Sequence, residues 1–251
     1  VQRNLQRAVE STEDGLVAQA RQTRELQRDL LRTRMVEFEG ISERLYRVVR
    51  QASKETGKQV RLDITAGYIE MDRGVLDRMT AAFEHLLRNS VVHGIESPER
   101  RLEKGKPAEG HIEIRLAQEL NDVSVTFEDD GAGIDLARLR EKALAQGLVP
   151  ADAVLSDDEA AQLIYTPGLS TAAEVYSLAG RGVGMDVVRN DVVALGGRIE
   201  THTHAGQGSS FKLVLPLTTA VTQVVMLRFG DRRVAVPSTL VEIVKRVKPA
   251  E

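Results

Sequence analysis

Three polar or glycine-rich segments interrupt the apolar pattern of this sequence, and the first carries side chains able to bind a charged ligand. His85, Asn89 and His93 are four residues apart, so on a helix they project from one face. Imidazole and amide groups in such a row, beside a glycine, suit a metal or a polar ligand. For this segment taken alone, the alternative is an ordinary solvated helix face.

The second segment, residues 129–133, reads Asp-Asp-Gly-Ala-Gly at the end of a predicted strand. Its two glycines predict a tight turn with room for a flat ligand. A carboxylate at that place can accept a hydrogen bond from the exocyclic amine of a purine, since an ionised carboxylate only accepts. The alternative interpretation is a plain acidic β-turn.

The third segment alternates glycines directly before a predicted helix. Gly180, Gly182 and Gly184 expose consecutive backbone N–H groups, and the helix that follows adds the positive end of its dipole. This combination suits a chain of phosphates. The spacing is neither the G-x-x-x-x-G-K-S/T of a P-loop nor the G-x-G-x-x-G that follows a strand in dinucleotide-binding folds.

The elements that must position these segments follow from the periodicity of the apolar residues. Alternation with period two predicts strands, and apolar residues three and four apart predict helices. Because antiparallel hairpins stand beside helices, we expect a two-layer α/β sandwich and not a doubly wound parallel sheet. The predicted helices are 40–57, 72–92, 136–145, 157–165 and 185–195, and the predicted strands are 60–64, 111–116, 123–127, 198–201, 210–217, 221–229 and 232–236.

The first 36 residues differ from the rest because they lack proline and are rich in Gln, Arg, Glu and Leu. Spacings of four and three alternate along them, which is a heptad pattern and predicts a long helical segment that pairs with a second copy. The alternative is an amphipathic helix lying on its own domain, and residues 11–15 are a candidate break. The pattern consists of Leu5, Val9, Thr12, Leu16, Gln19, Thr23, Leu26 and Leu30.

The composition excludes several classes of protein. The 251 residues are 42% hydrophobic and 28% charged, with a formal net charge of −3 and no cysteine. Disulfides and cysteine-based zinc sites are therefore excluded, and the lack of cysteine fits a reducing, cytoplasmic location. Nucleic-acid binding has no electrostatic support, no stretch is long and apolar enough for membrane insertion, and no secretory signal is visible.

The order and spacing of these segments resemble the Bergerat-fold ATP-binding domain of histidine kinases, and more narrowly the CheA-type chemotaxis histidine kinases. Parts of the sequence are most similar to members that control pilus-driven surface motility. The motifs that carry the resemblance are RTRM at 32–35, HLLRNSVVHGIE at 85–96, EDDGAGI at 128–134, PGLST at 167–171 and GRGVGMDVV at 180–188.

The resemblance spans nearly the whole chain and implies three parts. Residues 1–38 would be a partial helical dimerisation segment, and 39–217 the ATP-binding histidine kinase domain. Residues 218–251 would be the truncated start of a β-rich coupling domain. It also implies that the phosphoacceptor histidine lies on a separate domain, since none of the five histidines here has a phosphotransfer pattern around it.

The resemblance implies a role for each residue of the first segment. Asn89 would hold Mg²⁺ against the phosphates, which suits an amide oxygen. His85 stands where hydrolytic relatives carry a glutamate that activates water, so it favours transfer over hydrolysis. Its own role is either contact with the metal or orientation of a neighbour. His93 would lie near the phosphates.

For the remaining segments the resemblance implies an adenine pocket and a phosphate loop. Asp129 would bind the adenine amine, with Gly131 and Gly133 keeping the pocket open, and Ser209 would support the adenine through its hydroxyl. Residues 166–179 would form a lid over ATP. The glycines expected to flank the phosphates are Gly180, Gly182 and Gly184.

The implied activity is that of a dimeric, Mg-ATP-dependent histidine kinase core. Its partners would be the phosphotransfer domain, a response regulator, a coupling protein and chemoreceptors. Three positions depart from the usual pattern: Val92 replaces an Asp, Ala172 a Lys and Glu37 a Pro. Val92 and Ala172 motivate a second hypothesis, a nucleotide-binding scaffold without kinase activity. A third is a hydrolase of the same fold, for which Glu84 is the adjacent carboxylate.

Overall fold

The computed structural model describes residues 33–120, 122–150, 153–169, 184–217, 224–229 and 232–237, with single helical residues between 19 and 29. The chain divides into two compact units, Val1–Thr218 and Thr219–Glu251. Most of the predicted heptad segment and of the predicted lid, together with Ala172, Gly180 and Gly182, lie outside these ranges. In the described part of the chain, no helix is long and apolar enough to cross a bilayer.

A mixed five-stranded sheet is the main β-structure of the first unit. The strands of this unit are β1 (Met35–Glu37), β2 (Val60–Thr65), β3 (Glu70–Asp72), β4 (Gly110–Glu119), β5 (Asp122–Asp129), β6 (Arg198–His204) and β7 (Gly208–Pro216). The sheet has the order β2-β4-β5-β7-β6. β2 and β4 are parallel, and the other neighbours are antiparallel. β1 and β3 form a separate antiparallel pair.

Six α-helices accompany these strands in the described residues. They are α1 (Ser42–Thr56), α2 (Arg73–Asn89), α3 (Pro98–Glu103), α4 (Leu136–Ala145), α5 (Asp157–Gln162) and α6 (Met185–Ala194). Asp72 caps α2 by accepting from two backbone N–H groups of its first turn. α1 ends at Gly57, whose φ of +66° is the left-handed conformation that favours glycine.

The hydrophobic core lies between one face of the sheet and the helices α1, α2 and α6. At its centre the rings of Phe38, Phe83 and Phe127 follow one another, with centroids 5.9 Å and 5.4 Å apart. On the opposite face of the sheet, Arg115 is paired with Glu113 and Glu128. In the described residues the helices thus pack on one face of the sheet, and the predicted two-layer α/β sandwich is confirmed.

The parallel pairing of β2 with β4 is one feature that the antiparallel hairpins in the sequence did not predict. α2 lies between these strands in the chain, so it supplies the crossover connection that parallel neighbours require. This arrangement sets the C-terminal end of α2 close to the start of β4.

Three shorter elements also differ from the predictions. The helix predicted over 72–92 ends at Asn89 and continues as a π-helical turn, Ser90–Gly94. α3 lies within residues 94–110, a loop by prediction since no helix or strand was expected there; Ser97 caps this helix and Pro98 occupies its first position. The pair of β1 and β3 was missed because three residues are too few for a recognisable alternation.

The second unit contains one antiparallel hairpin in its described residues. β8 (Val224–Phe229) pairs with β9 (Arg232–Pro237). β8 ends at 229 and β9 begins at 232, as predicted, while residues 221–223 of the first predicted strand lie outside the described residues.

Candidate functional site

The end of α2 brings two of the predicted residues into contact. Asn89 Nδ2 lies 2.9 Å from His85 Nε2 and 3.3 Å from the sulfur of Met185, the first residue of α6. The pKa of His85 is lowered, chiefly by burial and further by His93, so the neutral ring accepts from the amide. The amide nitrogen is thus held between two acceptors, and its oxygen points elsewhere.

His93 does not continue this row, because it lies inside the π-helical turn and no longer follows α-helical spacing. No hydrogen bond in the described residues joins it to His85 or Asn89. Lys58 donates to the carbonyl oxygens of Val91 and Val92, at 2.9 Å and 2.7 Å, and so caps the turn. The pKa of His93 is lowered by desolvation and then by the charge of Lys58.

The π-helical turn connects the end of α2 directly to the second predicted segment. Ser90 Oγ donates to Asp129 Oδ2 at 3.1 Å, across 39 positions of sequence. The turn itself is closed by the i to i+5 bond from Ile95 N–H to the Ser90 carbonyl, at 2.7 Å. Ser90 was not predicted as a site residue, because a serine at a helix end carries no local sign of such a distant partner.

Asp129 is a buried carboxyl group at the end of β5. It is only 8% exposed, and burial raises its pKa to about 6. Three hydrogen bonds act against burial and lower the pKa. They come from the N–H of Gly131, which donates to Oδ1 at 3.0 Å, from the Ser90 hydroxyl and from the Ser209 backbone. A carboxylate offers about four acceptor positions. Asp129 therefore keeps capacity for one further donor.

Glycines around Asp129 permit close approach of the backbone. A Cβ on Gly131 would lie 2.2 Å from the carbonyl oxygen of Gly94, and one on Gly94 would lie 3.2 Å from the Asp129 carboxylate. Gly133 has a φ of +78°, and a Cβ there would lie 2.5 Å from the His204 carbonyl oxygen. Larger side chains at these positions would fill the space beside Asp129.

Ser209 lies beside Asp129, since the two residues are partners in the register of β5 and β7. Its hydroxyl is 3.1 Å from Thr203 Oγ1, which accepts from the N–H of Ile134 at 2.8 Å. Ser209 thus supports the segment after Gly133 through Thr203. Its hydroxyl makes no recorded bond to Asp129 in the described residues.

A buried cluster of charges lies behind the 129–133 turn, and sequence analysis missed it. Arg101 is 0% exposed and pairs with Glu96 and with both carboxylate oxygens of Asp130. Lys106 donates to Glu96 and to the carbonyl oxygens of Asp130 and Gly131. The only signal in the sequence was an excess of charged residues in the predicted loop 94–110.

The third predicted segment is described at its last glycine alone. Gly184 precedes α6 in an extended conformation, and the contact of Met185 with Asn89 sets this helix start beside the end of α2. Of the predicted lid, Thr166–Leu169 follows the short 3-10 helix Leu163–Tyr165. Leu169 is fully buried with Leu139 and Ala143 of α4.

The donors present fit magnesium held jointly with a ligand better than a metal held by protein alone. Within the described residues, no group of three or more His, Cys, Asp or Glu side chains could hold a metal ion. No hydrogen bond in the described part reaches Asn89 Oδ1. Mg²⁺ typically takes one or two protein oxygens and completes its shell with phosphates and water.

A cavity of about 480 Å³ lies on the outer face of the sheet. Asp129 and Ser209 border it, but its other carboxylates are already paired, Glu113 and Glu128 with Arg115 and Asp130 with Arg101. We therefore assign it no ligand. Its outward-facing residues are His111, Glu113, Glu128, Asp130, His202 and Ser210.

A fold with this arrangement has known counterparts. The family described as histidine kinase-, DNA gyrase B-, and HSP90-like ATPase matches residues 74–219, more than half of the chain. The chain belongs to this family, and an ATPase domain implies that ATP is its nucleotide. The matched range contains the contact of His85 with Asn89 and the turn at Asp129.

Curated relatives narrow the class. The chain is 40% identical over 221 residues to the chemotaxis protein CheA of Bacillus subtilis, covering 87% of this chain and 33% of that protein. It is 43% identical over 218 residues to the gliding motility regulatory protein of Myxococcus xanthus, covering 86% and 28%. The chain spans about a third of the length of these relatives. It carries the ATPase core of a CheA-type histidine kinase, as the resemblance predicted.

Among solved structures, the chain is similar to the catalytic domain of the histidine kinase ThkA. It has 13% sequence identity and a TM-score of 0.46, and the similarity covers 74% of this chain and 95% of that one.

Proposed function

We propose that this chain binds Mg-ATP beside the end of α2 and the 129–133 turn, and transfers its γ-phosphoryl group to a histidine on a separate phosphotransfer domain. The single observation that carries the proposal is the bond from Ser90 to Asp129. It joins the helix end that presents Asn89 to a buried carboxylate with spare acceptor capacity. One ligand with an amine at one end and phosphates at the other fits both.

Asp129 would recognise the adenine by accepting a hydrogen bond from its exocyclic amine. Gly94 and Gly131 leave room for the flat base next to that carboxylate. Ser209 would support the adenine pocket indirectly, because its hydroxyl forms a hydrogen bond with Thr203 and not with Asp129. Burial makes the amine bond stronger than it would be in water, since few other donors compete.

Asn89 would bind the metal through its side-chain oxygen, and His85 would orient it by holding the amide nitrogen. When bound, Mg²⁺ would neutralise charge on the phosphates as the bond to the γ-phosphorus breaks. Gly184 and the start of α6 would lie on the phosphate side, and His93 of the π-helical turn would lie near the phosphates. The roles of Gly180 and Gly182 as phosphate-flanking glycines remain part of the proposal.

Transfer needs no base on this chain. The lone pair of a neutral imidazole nitrogen on the acceptor forms the new bond to phosphorus, and the oxygen of the β-phosphate leaves with ADP. Hydrolysis requires a group that activates water, and Glu84 is unsuited because Arg44 of α1 pairs with both of its carboxylate oxygens. This pairing favours the kinase over the hydrolase hypothesis.

The test is transfer of labelled γ-phosphate from ATP to a separately supplied phosphotransfer domain in the presence of Mg²⁺. We expect the label on that domain to appear only when this chain is present. Nucleotide binding without transfer would instead support the scaffold hypothesis motivated by Val92 and Ala172. Rapid release of free phosphate in the absence of an acceptor would support the hydrolase.

The proposed partners follow from the relatives' names. A chemotaxis kinase works with chemoreceptors and response regulators, and we propose the same setting here, with a coupling protein and a homodimer formed through residues 1–38. The match to a gliding motility regulator supports the narrower proposal that the output is surface motility. Sedimentation across a range of protein concentrations would test dimerisation.

The preference for ATP over ITP is expected to fall as the pH drops below about 6, the pKa of Asp129. ITP carries a carbonyl where ATP carries the amine. The ionised carboxylate accepts from ATP, whereas the protonated group donates to ITP, so the preference falls up to about tenfold per pH unit. Calorimetry with both nucleotides from pH 5 to 8 measures this preference as the ratio of the two affinities. Because the two triphosphates are identical, effects of pH on phosphate binding cancel in that ratio.

The same group affects folding with the opposite sign. Because its pKa in the fold lies above 3.8, the value of an exposed Asp, the protonated form favours folding. That contribution is full below about pH 4 and is lost as the pH rises through about 6. Unliganded protein is thus stabilised by this group under acid conditions that weaken ATP binding. For the nucleotide measurement, a preference for ATP over ITP that stays constant from pH 5 to 8 would contradict the assignment of Asp129 as the adenine acceptor.

A further inference from the structure

Two carbonyl oxygens of the 129–133 turn, those of Asp130 and Gly131, accept hydrogen bonds from largely buried cations. Lys106 Nζ donates to the Asp130 oxygen at 2.8 Å and to the Gly131 oxygen at 2.7 Å. Arg101 also reaches the Asp130 oxygen, at 3.2 Å. Two consecutive peptide groups, Asp130–Gly131 and Gly131–Ala132, are therefore held in place through their carbonyl oxygens.

The orientation of these oxygens fixes the N–H groups on the other side. A peptide group is planar and trans, so its C=O and N–H bonds point in opposite directions. The group between Asp130 and Gly131 directs its N–H to Asp129 Oδ1, at 3.0 Å. The next group directs the N–H of Ala132 to the Gly94 carbonyl, at 2.9 Å. Both bonds shape the space beside Asp129.

Lys106 is itself held in place. Glu96, which is 9% exposed, accepts from Lys106 at 3.2 Å and from Arg101 at 3.3 Å. The Lys106 side chain is 18% exposed, so little water competes for its three partners. Lys104 also pairs with Glu96, at 3.1 Å, but its side chain is half exposed and makes no recorded bond to the turn.

We propose that Lys106 is a positioning residue for purine selection. It orients the two peptide groups after Asp129. Their N–H groups then hold the Asp129 carboxylate and the Gly94 carbonyl in the geometry that accepts an adenine amine. The inference rests on the proposed function, because it takes Asp129 as the adenine acceptor. Lys106 touches neither the base nor the phosphates in this scheme. Its effect passes through the backbone of the turn.

The test compares ATP and ITP affinities, measured by calorimetry at pH 7.5, in three variants. In Lys106→Met we expect ATP to bind about tenfold more weakly and ITP to change by less than about twofold, since ITP has no amine to present. Lys106→Arg keeps a cation behind the turn and should retain most of the preference. Lys104→Met is the matched control, which removes a cation from Glu96 but no bond from the turn.

Each outcome decides a different point. Equal weakening of ATP and ITP in Lys106→Met, or an equal loss of preference in Lys104→Met, would overturn the inference and leave Lys106 a purely structural residue. An unchanged preference in a folded Lys106→Met would overturn it as well. A wild-type chain that binds both nucleotides equally would contradict the proposed role of Asp129 itself. Thermal unfolding of each variant confirms that it is folded.

Discussion

Replacing Asp129 by Asn is expected to weaken ATP binding about a hundredfold, which corresponds to about 3 kcal/mol. The substitution preserves size but replaces one acceptor oxygen with an NH₂ group that only donates. The Gly131 N–H can only donate, so the amide oxygen would stay at Oδ1 and the NH₂ would face Ser90, whose hydroxyl can turn to accept. The adenine amine would then lose the charged acceptor and meet a second donor in its place.

Calorimetry with a non-hydrolysable ATP analogue measures this effect directly. The matched control is Glu128→Gln, one position earlier on β5, where the side chain faces the outer side of the sheet and pairs with Arg115. That variant should bind nucleotide within about twofold of the original chain. Equal losses in the two variants would mean that charge on β5, and not the acceptor at Asp129, determines affinity.

Replacing Asn89 by Ala is expected to lower phosphotransfer by about a hundredfold while leaving metal-free nucleotide binding nearly unchanged. The variant loses the side-chain oxygen proposed to hold Mg²⁺, and charge stabilisation by a metal contributes several kcal/mol to such reactions. It also leaves His85 without the amide that it contacts at 2.9 Å. The rate deficit should shrink as the Mg²⁺ concentration is raised.

Two measurements separate this effect from a folding defect. Binding of ADP in the presence of EDTA should stay within about twofold, because it depends on Asp129 and not on the metal. Asn190→Ala removes the same side chain from an exposed position of α6 and should transfer phosphate at the original rate. A loss of ADP binding in Asn89→Ala without metal would contradict the proposed role.

Elements with a long, regular pattern were predicted well from the sequence. α4 was predicted at 136–145 and is found there, because an amphipathic ten-residue helix with a capping Asp135 carries its own signal. The hairpin of β4 and β5 likewise follows from alternation on both sides of a short turn. These are local patterns, so no knowledge of distant contacts was needed.

Features that depend on distant contacts were not predictable in this way. The break from α-helix to π-helical turn at Ser90 is stabilised by Lys58, which comes 32 positions earlier in the numbering, and by Asp129 on another strand. Nothing in residues 85–94 alone distinguishes this turn from a continued helix. The row of His85, Asn89 and His93 was therefore predicted as one face, although only its first two members meet.

The charges behind the 129–133 turn illustrate the same limit at the level of side chains. The residues around Arg101 in the sequence are polar and charged, as in an exposed loop, yet Arg101 is fully buried. Its burial is tolerated because Glu96 and Asp130 both pair with it. Such pairing between separate segments has no periodic signature, so only the fold reveals it.

The π-helical turn also makes the length of its segment matter, because it holds one residue more than an α-helix needs for the same rise. Deleting one residue between Ser90 and Gly94 would convert the stretch into uninterrupted helix without removing its helical character. The chain would then leave the turn in a different direction, and the Gly94 carbonyl would turn away from the N–H of Ala132. We therefore expect insertions and deletions to be tolerated far less here than conservative replacements.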